Sequence, residues 1–200
     1  MLLSKLRPTV GKFLTEPIVR LLAKTGISPN VLTISGFALS LAVAWLIATG
    51  HLVAGGFLLL FSAWFDLLDG ALARLAGTET PFGALLDSAL DRLSEGVILA
   101  GLAIYFLHNG TTLEMVLVLA ALVGSMMVSY VRTRAEVIGL KGEFGLMARP
   151  ERVVVLAHGL IISYFSGIVL PLAIWILAVG TNLTAIIRLW EGWKQLQKNN

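Results

Sequence analysis

Four aspartates between positions 66 and 91 are the residues of this sequence best placed to do chemistry. They stand in Asp66-Leu-Leu-Asp69-Gly70-Ala-Leu-Ala73-Arg74 and, eight residues later, in Gly83-Ala-Leu-Leu-Asp87-Ser-Ala-Leu-Asp91. Asp66 and Asp69 are three apart and Asp87 and Asp91 four apart, so on helices each pair projects from one face. Between the pairs Gly77, Thr78, Thr80, Pro81 and Gly83 supply a turn, which predicts a helical hairpin. Asp66 with Asp91, and Asp69 with Asp87, are each centred on that turn. In an antiparallel hairpin Asp66 therefore faces Asp91 and Asp69 faces Asp87, with the outer pair roughly 13–20 Å from the turn at about 1.5 Å per residue. Four converging carboxylates in an apolar setting would share protons or bind cations. The chain has no Cys and no His near the hairpin. Hard oxygen ligands then favour Mg²⁺, Mn²⁺ or Ca²⁺, and two divalent ions would balance four negative charges.

The elements that must carry these acids are membrane helices. The 200 residues are 57% hydrophobic and 14% charged, with a mean hydropathy of +0.87, which excludes an ordinary soluble domain. Without cysteine there is neither disulfide nor thiol chemistry. Residues 1–25 lack a continuous apolar core and an obvious cleavage site, so no cleavable leader is expected. No repeat or low-complexity tract is visible.

Residues 4–24 set Leu6, Val10, Phe13, Leu14, Ile18, Leu21 and Leu22 among Lys5, Arg7, Lys12, Arg20 and Lys24, broken near Pro8 and Pro17. That pattern predicts an amphipathic helix on an anionic membrane surface or, equally, an arm packed on the bundle. Ser28-Pro29-Asn30 opens a first span, with Ser28 or Asn30 available as caps. Apolar runs then predict helices over 31–49, 52–75, 82–107, 113–138, 150–165 and 168–198, with a polar connector over 139–149 that contains Lys141 and Glu143. The expected architecture is all-α: six transmembrane helices in one domain (1–200), with residues 1–27 as an interfacial segment and 28–200 as the bundle. With a cytoplasmic amino terminus, all 15 Lys and Arg fall on or near one side of such a bundle, so the acids open towards the cytoplasm and both termini lie there. The expected location is the plasma membrane of a prokaryotic-type cell.

The run Asp-x-x-Asp-Gly-x-x-Ala-Arg, eight residues, then Gly-x-x-x-Asp-x-x-x-Asp resembles the signature of the CDP-alcohol phosphatidyltransferases and matches it at every defined position. The resemblance implies a transferase of phospholipid biosynthesis that uses a CDP-linked lipid and releases CMP. It implies Asp66, Asp69, Asp87 and Asp91 as ligands of Mg²⁺ or Mn²⁺, with Asp91 also the general base or, alternatively, a ligand only. It further implies that Gly70 and Ala73 line the CDP site, where composition alone would suggest helix packing, and that Arg74 holds the diphosphate. Pro29-Asn30-Val-Leu-Thr33 is similar to a segment of the same family, which adds Asn30 and Thr33 to that site, although a capping role would also explain them. A homodimer is implied by the resemblance alone.

Arg132 and Arg134, Arg149 and Arg152, and Arg188 form a second cationic set. They are either positive-inside anchors or a pocket for an acceptor that carries its own phosphate. The segments around Arg132, Arg134 and Arg149 resemble the acceptor region of phosphatidylinositol-phosphate synthases and their archaeal ether-lipid counterparts, which implies inositol 1-phosphate, with glycerol 3-phosphate, inositol or serine as alternatives. Glu95, one turn beyond Asp91, is expected to support either the acids or the arginines. His51, His108 and His158 are expected to be structural, and Trp175, Trp190 and Trp193 to pack or anchor at the interface. No nucleic-acid partner is expected. The alternative from another class is a cation transporter lined by the same acids.

Overall fold

The computed structural model describes residues 16–109, 111–140, 142 and 144–199, and all the regular structure among them is helical. Residues 16–25 form a short helix closed by Gly26 in the left-handed region (φ 71°). Six longer helices follow: α1 Pro29–Ala48, α2 Leu52–Ala76, α3 Pro81–His108, α4 Thr112–Val137, α5 Arg149–Ile162 and α6 Val169–Asn199. The expected helices thus appear within a few residues of their predicted bounds. Most of the amphipathic stretch 4–24, and Lys141 and Glu143, lie outside the described residues.

Four helices are long and apolar enough to cross a membrane, namely α1, α2, α4 and α6, with mean hydropathies of 2.2, 1.6, 2.0 and 1.9 over their most apolar windows. α3 has the length, but Asp87, Asp91, Arg92 and Glu95 fill its first half. α5 has 14 residues, a rise of only about 21 Å. Large apolar side chains are exposed on every helix, among them Trp45, Phe57, Ile104, Val123, Ile162 and Ile186. A chain that leaves such residues outward is solvated by lipid, since water would make that surface costly.

The core lies at the centre of the bundle, where Val43 and Ile47 of α1 meet Leu59, Leu102, Val118, Leu160 and Ile174 from the other five helices. Close crossings depend on small residues. A Cβ on Gly101 of α3 would run into the backbone of Ala44 on α1, so these helices approach as near as a glycine allows. A second, smaller cluster joins Val19 to Leu32, Leu68 and Leu72. The described part of the amino-terminal segment is therefore an arm packed on α1 and α2, while Leu21 stays exposed.

The turns follow local chemistry. Ser28 occupies the cap position of α1, yet its hydroxyl makes no capping bond, and its carbonyl accepts from Val31 N instead. The α5–α6 turn meets four of its donors locally: Phe165 N and Ser166 N donate to Ile162 O, Val169 N donates to Ser166 O, and Ser163 Oγ donates to Leu160 O.

Candidate functional site

The α2–α3 hairpin forms as the spacing predicts. Gly77 closes α2 in the left-handed region (φ 62°), which a glycine adopts without steric cost. Thr80 caps α3, its hydroxyl accepting from Gly83 N at 3.0 Å, and Pro81 follows at the first helical turn. The two arms bring the four acids into mutual electrostatic reach: Asp91 feels Asp87, Asp66 and Asp69, and Asp69 feels Asp87 and Asp66.

Each acid has a distinct setting. Asp69 is 7% exposed and accepts from Thr33 Oγ1 on α1 at 2.8 Å and from Gly70 N at 2.5 Å. Asp66 and Asp91 share one partner. The guanidinium of Arg149, at the start of α5, reaches Asp66 Oδ2 through Nη2 at 2.7 Å and Asp91 Oδ1 through Nη1 at 2.8 Å. The expected facing of Asp66 and Asp91 is thus realised through a bridging cation. Asp69 and Asp87 border the same cleft. Among the described residues no three carboxylate or imidazole groups close into a metal-ligand shell, because Arg149 stands between two of the acids and Thr33 and Gly70 engage a third. The donor chemistry nevertheless fits a hard divalent cation: oxygen ligands only, no sulfur or imidazole, and a positive charge already held at the Asp66–Asp91 position.

α1 is pressed against this face. A Cβ built on Gly36 would stand 2.6 Å from Asp66 Oδ1, so the glycine makes room for the carboxylate. Sequence reasoning missed Gly36; a glycine three positions after Thr33, at the end of a Pro-Asn-x-x-Thr-x-x-Gly run, gives little signal until the α1–α2 crossing is known.

A cleft of about 500 Å³ opens beside Asp69 and Asp87, lined by Asn30, Thr33, Gly70, Ala73, Arg74, Thr80 and Gly83, among others. It therefore collects every residue that the family resemblance assigned to CDP. Its volume is in the range of small-molecule sites. Arg74 is exposed and folds back over Gly70, with Nη1 3.3 Å from where a Cβ would be.

The five arginines of the second set divide. Arg149 joins the acids. Arg132 and Arg134 are exposed, and Arg132 Nε donates to Glu136 Oε1 at 2.8 Å. Arg188 is buried, donating to Phe144 O at 2.7 Å and Val128 O at 2.6 Å, so it ties the 138–148 connector and α4 to α6. Arg152 is 4% exposed and forks onto Glu95, at 2.5 Å to Oε1 and 2.7 Å to Oε2. Arg188 lies within electrostatic reach of Arg132 and Arg152, so these three form one positive region even though two of them are engaged internally. Arg92, not singled out from sequence, donates to Ser88 one turn back on α3 and reaches Thr133 Oγ1 on α4 at 3.3 Å.

Above the Asp66–Arg149 pair a small cavity reaches into the bundle. It is bordered by the buried Ser40, Ser62, Ser94 and Ser125, by Glu95 and Arg152, and by a roof of Leu59, Ile98, Leu99, Leu156 and Leu177. Serines scattered over four apolar helices carry no recognisable motif, and only the packing brings them together.

A lipid-solvated helical bundle whose acids and arginines meet at a nucleotide-sized cleft defines a membrane enzyme acting on phosphate-linked groups. A profile of known sequences narrows that class: the description "CDP-alcohol phosphatidyltransferase" matches residues 26–186, and the chain belongs to that family. It is a transferase, which sets aside the cation-transport alternative. Among its relatives are a phosphatidylinositol phosphate synthase of Mycobacteroides abscessus, 40% identical over 92% of this chain and 84% of the relative, and an archaetidylinositol phosphate synthase of Pyrococcus horikoshii, 37% identical over 98% and 99%. The fold matches crystal structures of Mycobacterium tuberculosis phosphatidylinositol phosphate synthase. The form with CDP-DAG bound gives a TM-score of 0.84 at 38% identity, covering 90% of this chain and 93% of that one. The complex with manganese and citrate gives 0.84 at 38% identity, covering 90% and 88%.

Proposed function

We propose that this transferase moves a phosphatidyl group, or its ether-lipid equivalent, from a CDP-linked lipid to inositol 1-phosphate and releases CMP. The observation that carries the reading is Arg149. It is a cation fixed on the reacting face between Asp66 and Asp91, where an acceptor bearing its own phosphate could be gripped as its hydroxyl approaches the acids. Relatives named for inositol phosphate substrates support the same choice.

In this reading Asn30, Thr33, Gly70, Ala73 and Arg74 hold the CDP moiety in the 500 Å³ cleft, with Arg74 on the diphosphate. Arg149, Arg132 and Arg134 draw in the acceptor phosphate, and Arg152 and Arg188 support them from behind. Asp66, Asp69, Asp87 and Asp91 would hold two divalent ions, Mg²⁺ or Mn²⁺, which supply charge neutralisation for the diphosphate and the departing CMP. Asp91 takes the proton of the acceptor hydroxyl. The hydroxyl oxygen attacks the lipid-side phosphorus in line, and the bond from that phosphorus to the CMP oxygen breaks. All six long helices cross the bilayer as one domain, with the site and both termini on the cytoplasmic side, and the protein works as a homodimer.

The test measures CMP release by purified protein with CDP-diacylglycerol and Mg²⁺, comparing inositol 1-phosphate, glycerol 3-phosphate, free inositol and L-serine. Preferential release with inositol 1-phosphate is expected. Preference for an acceptor without phosphate would overturn the role given to Arg149.

A further inference from the structure

Arg152 was expected among the residues that grip phosphate, but its donors are committed elsewhere. Nε and Nη2 meet the two oxygens of Glu95, Nη1 donates to Met147 O at 2.9 Å, and the side chain is 4% exposed. A guanidinium held this way cannot turn to a ligand without leaving the largely buried Glu95 carboxylate unpaired.

The position of this pair in the fold gives it a use. Asp91 and Glu95 are one turn apart on α3, and Arg149 and Arg152 one turn apart on α5. The two ion pairs Asp91–Arg149 and Glu95–Arg152 therefore form successive rungs between the helices. α5 packs mainly on α2 and α6 and has little direct backbone contact with α3; the serine-bordered cavity lies beside the rungs. The first rung belongs to the reacting face, and the second lies behind it.

The start of α5 also lacks a local anchor. Its cap residue, Ala148, has no side chain able to cap. Instead Met147 is held from both sides, its N–H donating to Thr184 Oγ1 on α6 at 3.2 Å and its carbonyl accepting from Arg152. Met147 lies two residues before Arg149, so whatever fixes its peptide sets the origin from which Arg149 reaches the acids.

We infer that Glu95 and Arg152 are positioning residues: a strut across the bundle that fixes the first turn of α5 and so aims Arg149 at the acceptor's phosphate. Arg152 itself does not contact substrate. The inference rests on the acceptor role of Arg149 proposed above and adds Glu95 to the residues on which acceptor recognition depends.

A double-mutant cycle of Glu95→Gln, Arg152→Met and both together tests it, with the Michaelis constants for acceptor and donor measured separately in the full-length protein. A strut predicts that each single variant raises the acceptor constant about tenfold, leaves that for CDP-diacylglycerol within about twofold, and that the double variant is no worse than the worse single. If Arg152 instead gripped phosphate, Glu95→Gln would free it, and the acceptor constant of that variant would fall or stay unchanged; that result overturns the inference. A merely structural role, in which both constants hold and only the active fraction drops, overturns it as well. Thermal stabilisation by CMP with Mg²⁺ reports whether each variant is folded. Should Arg152→Met fail to fold, Arg152→Lys keeps the charge but cannot span both Glu95 oxygens and Met147 O, and it carries the same expectation. The cycle is read with whichever acceptor the unaltered protein uses, so a preference for glycerol 3-phosphate would revise the proposed substrate without touching the strut.

Discussion

Replacing Gly36 by alanine puts one methyl group against the reacting face, where its one close contact is Asp66 and the Phe65 ring lies at an ordinary 3.8 Å. The new Cβ would stand 2.6 Å from Asp66 Oδ1, where ordinary contact begins at 3.4 Å, so the carboxylate or α1 must shift by about 0.8 Å. Asp66 cannot rotate away freely, because its other oxygen is held by Arg149 at 2.7 Å. For stability the terms nearly offset: alanine improves the helix by about 0.8–1 kcal/mol, and overpacking costs about 1–3 kcal/mol. The melting temperature should therefore fall by no more than about 2–8 °C. Catalysis has no such compensation, since displacement of a positioned group by about 1 Å can cost 10²-fold. The expected result is a kcat lowered by about 10–100-fold in a CMP-release assay, with near-normal folding. Gly96→Ala is the control, because its Cβ would meet only Met126 Cε, at an ordinary 3.6 Å; its activity should stay within about twofold of the unaltered protein. Full activity of Gly36→Ala would refute the placing of Asp66 against α1.

Three further outcomes follow from the same geometry. Thr33→Val removes the hydrogen bond to Asp69 while keeping the shape; kcat/KM should fall about 10–150-fold, as expected for a bond to a charged group worth about 1.5–3 kcal/mol, and an unchanged value would return Thr33 to a purely local role. Asp91→Asn should lower kcat by about 10²–10⁴-fold, the range for a lost general base, while CMP with Mg²⁺ still raises the melting temperature; retained turnover would leave Asp91 a ligand at most. Arg188→Met removes the side-chain donor to the half-buried carbonyl of Phe144 and an added donor to Val128 O, which lies inside α4 and keeps its helical bond. At about 1–3 kcal/mol for the unsatisfied Phe144 carbonyl, thermal unfolding should come a few degrees earlier, and a variant as stable as the parent would show that these contacts carry little.

Helix bounds were legible in the sequence because apolar runs, prolines and glycines mark them, and the hairpin was legible because four acids are centred on one turn. The packing arm was half legible: the charges in 16–25 suit a membrane surface, but only Val19 against Leu68 and Leu72 shows which contact forms. The arginines were less readable. Spacing along the chain cannot distinguish Arg149, which crosses to α2 and α3, from Arg152 three residues on, which is locked to Glu95, because the difference lies in which side of α5 faces which helix. Arg188 was opaque for a related reason: a guanidinium near a helix end gives no sign of its targets, and here it donates to Phe144 O in the connector and to Val128 O on α4. Gly36 and the four buried serines left no trace in one dimension, since a small residue in an apolar helix signifies nothing until its neighbour is known.

The brevity of α5 bears on the lipid as well as on the protein. With 14 residues it rises about 21 Å against a hydrocarbon slab of about 30 Å, so in the six-span arrangement the hinge into α6 sits below the far surface. That hinge presents Tyr164, Phe165 and Ile168 outward, and the N–H groups of Phe165, Ser166 and Val169 are already paired within it, as hydrocarbon demands of a bend. In that arrangement the bilayer would dip at this corner to meet it. The cost of that mismatch grows with membrane thickness, and this one corner would then make the enzyme's lipid environment a determinant of how firmly α5, and the arginine at its far end, is seated.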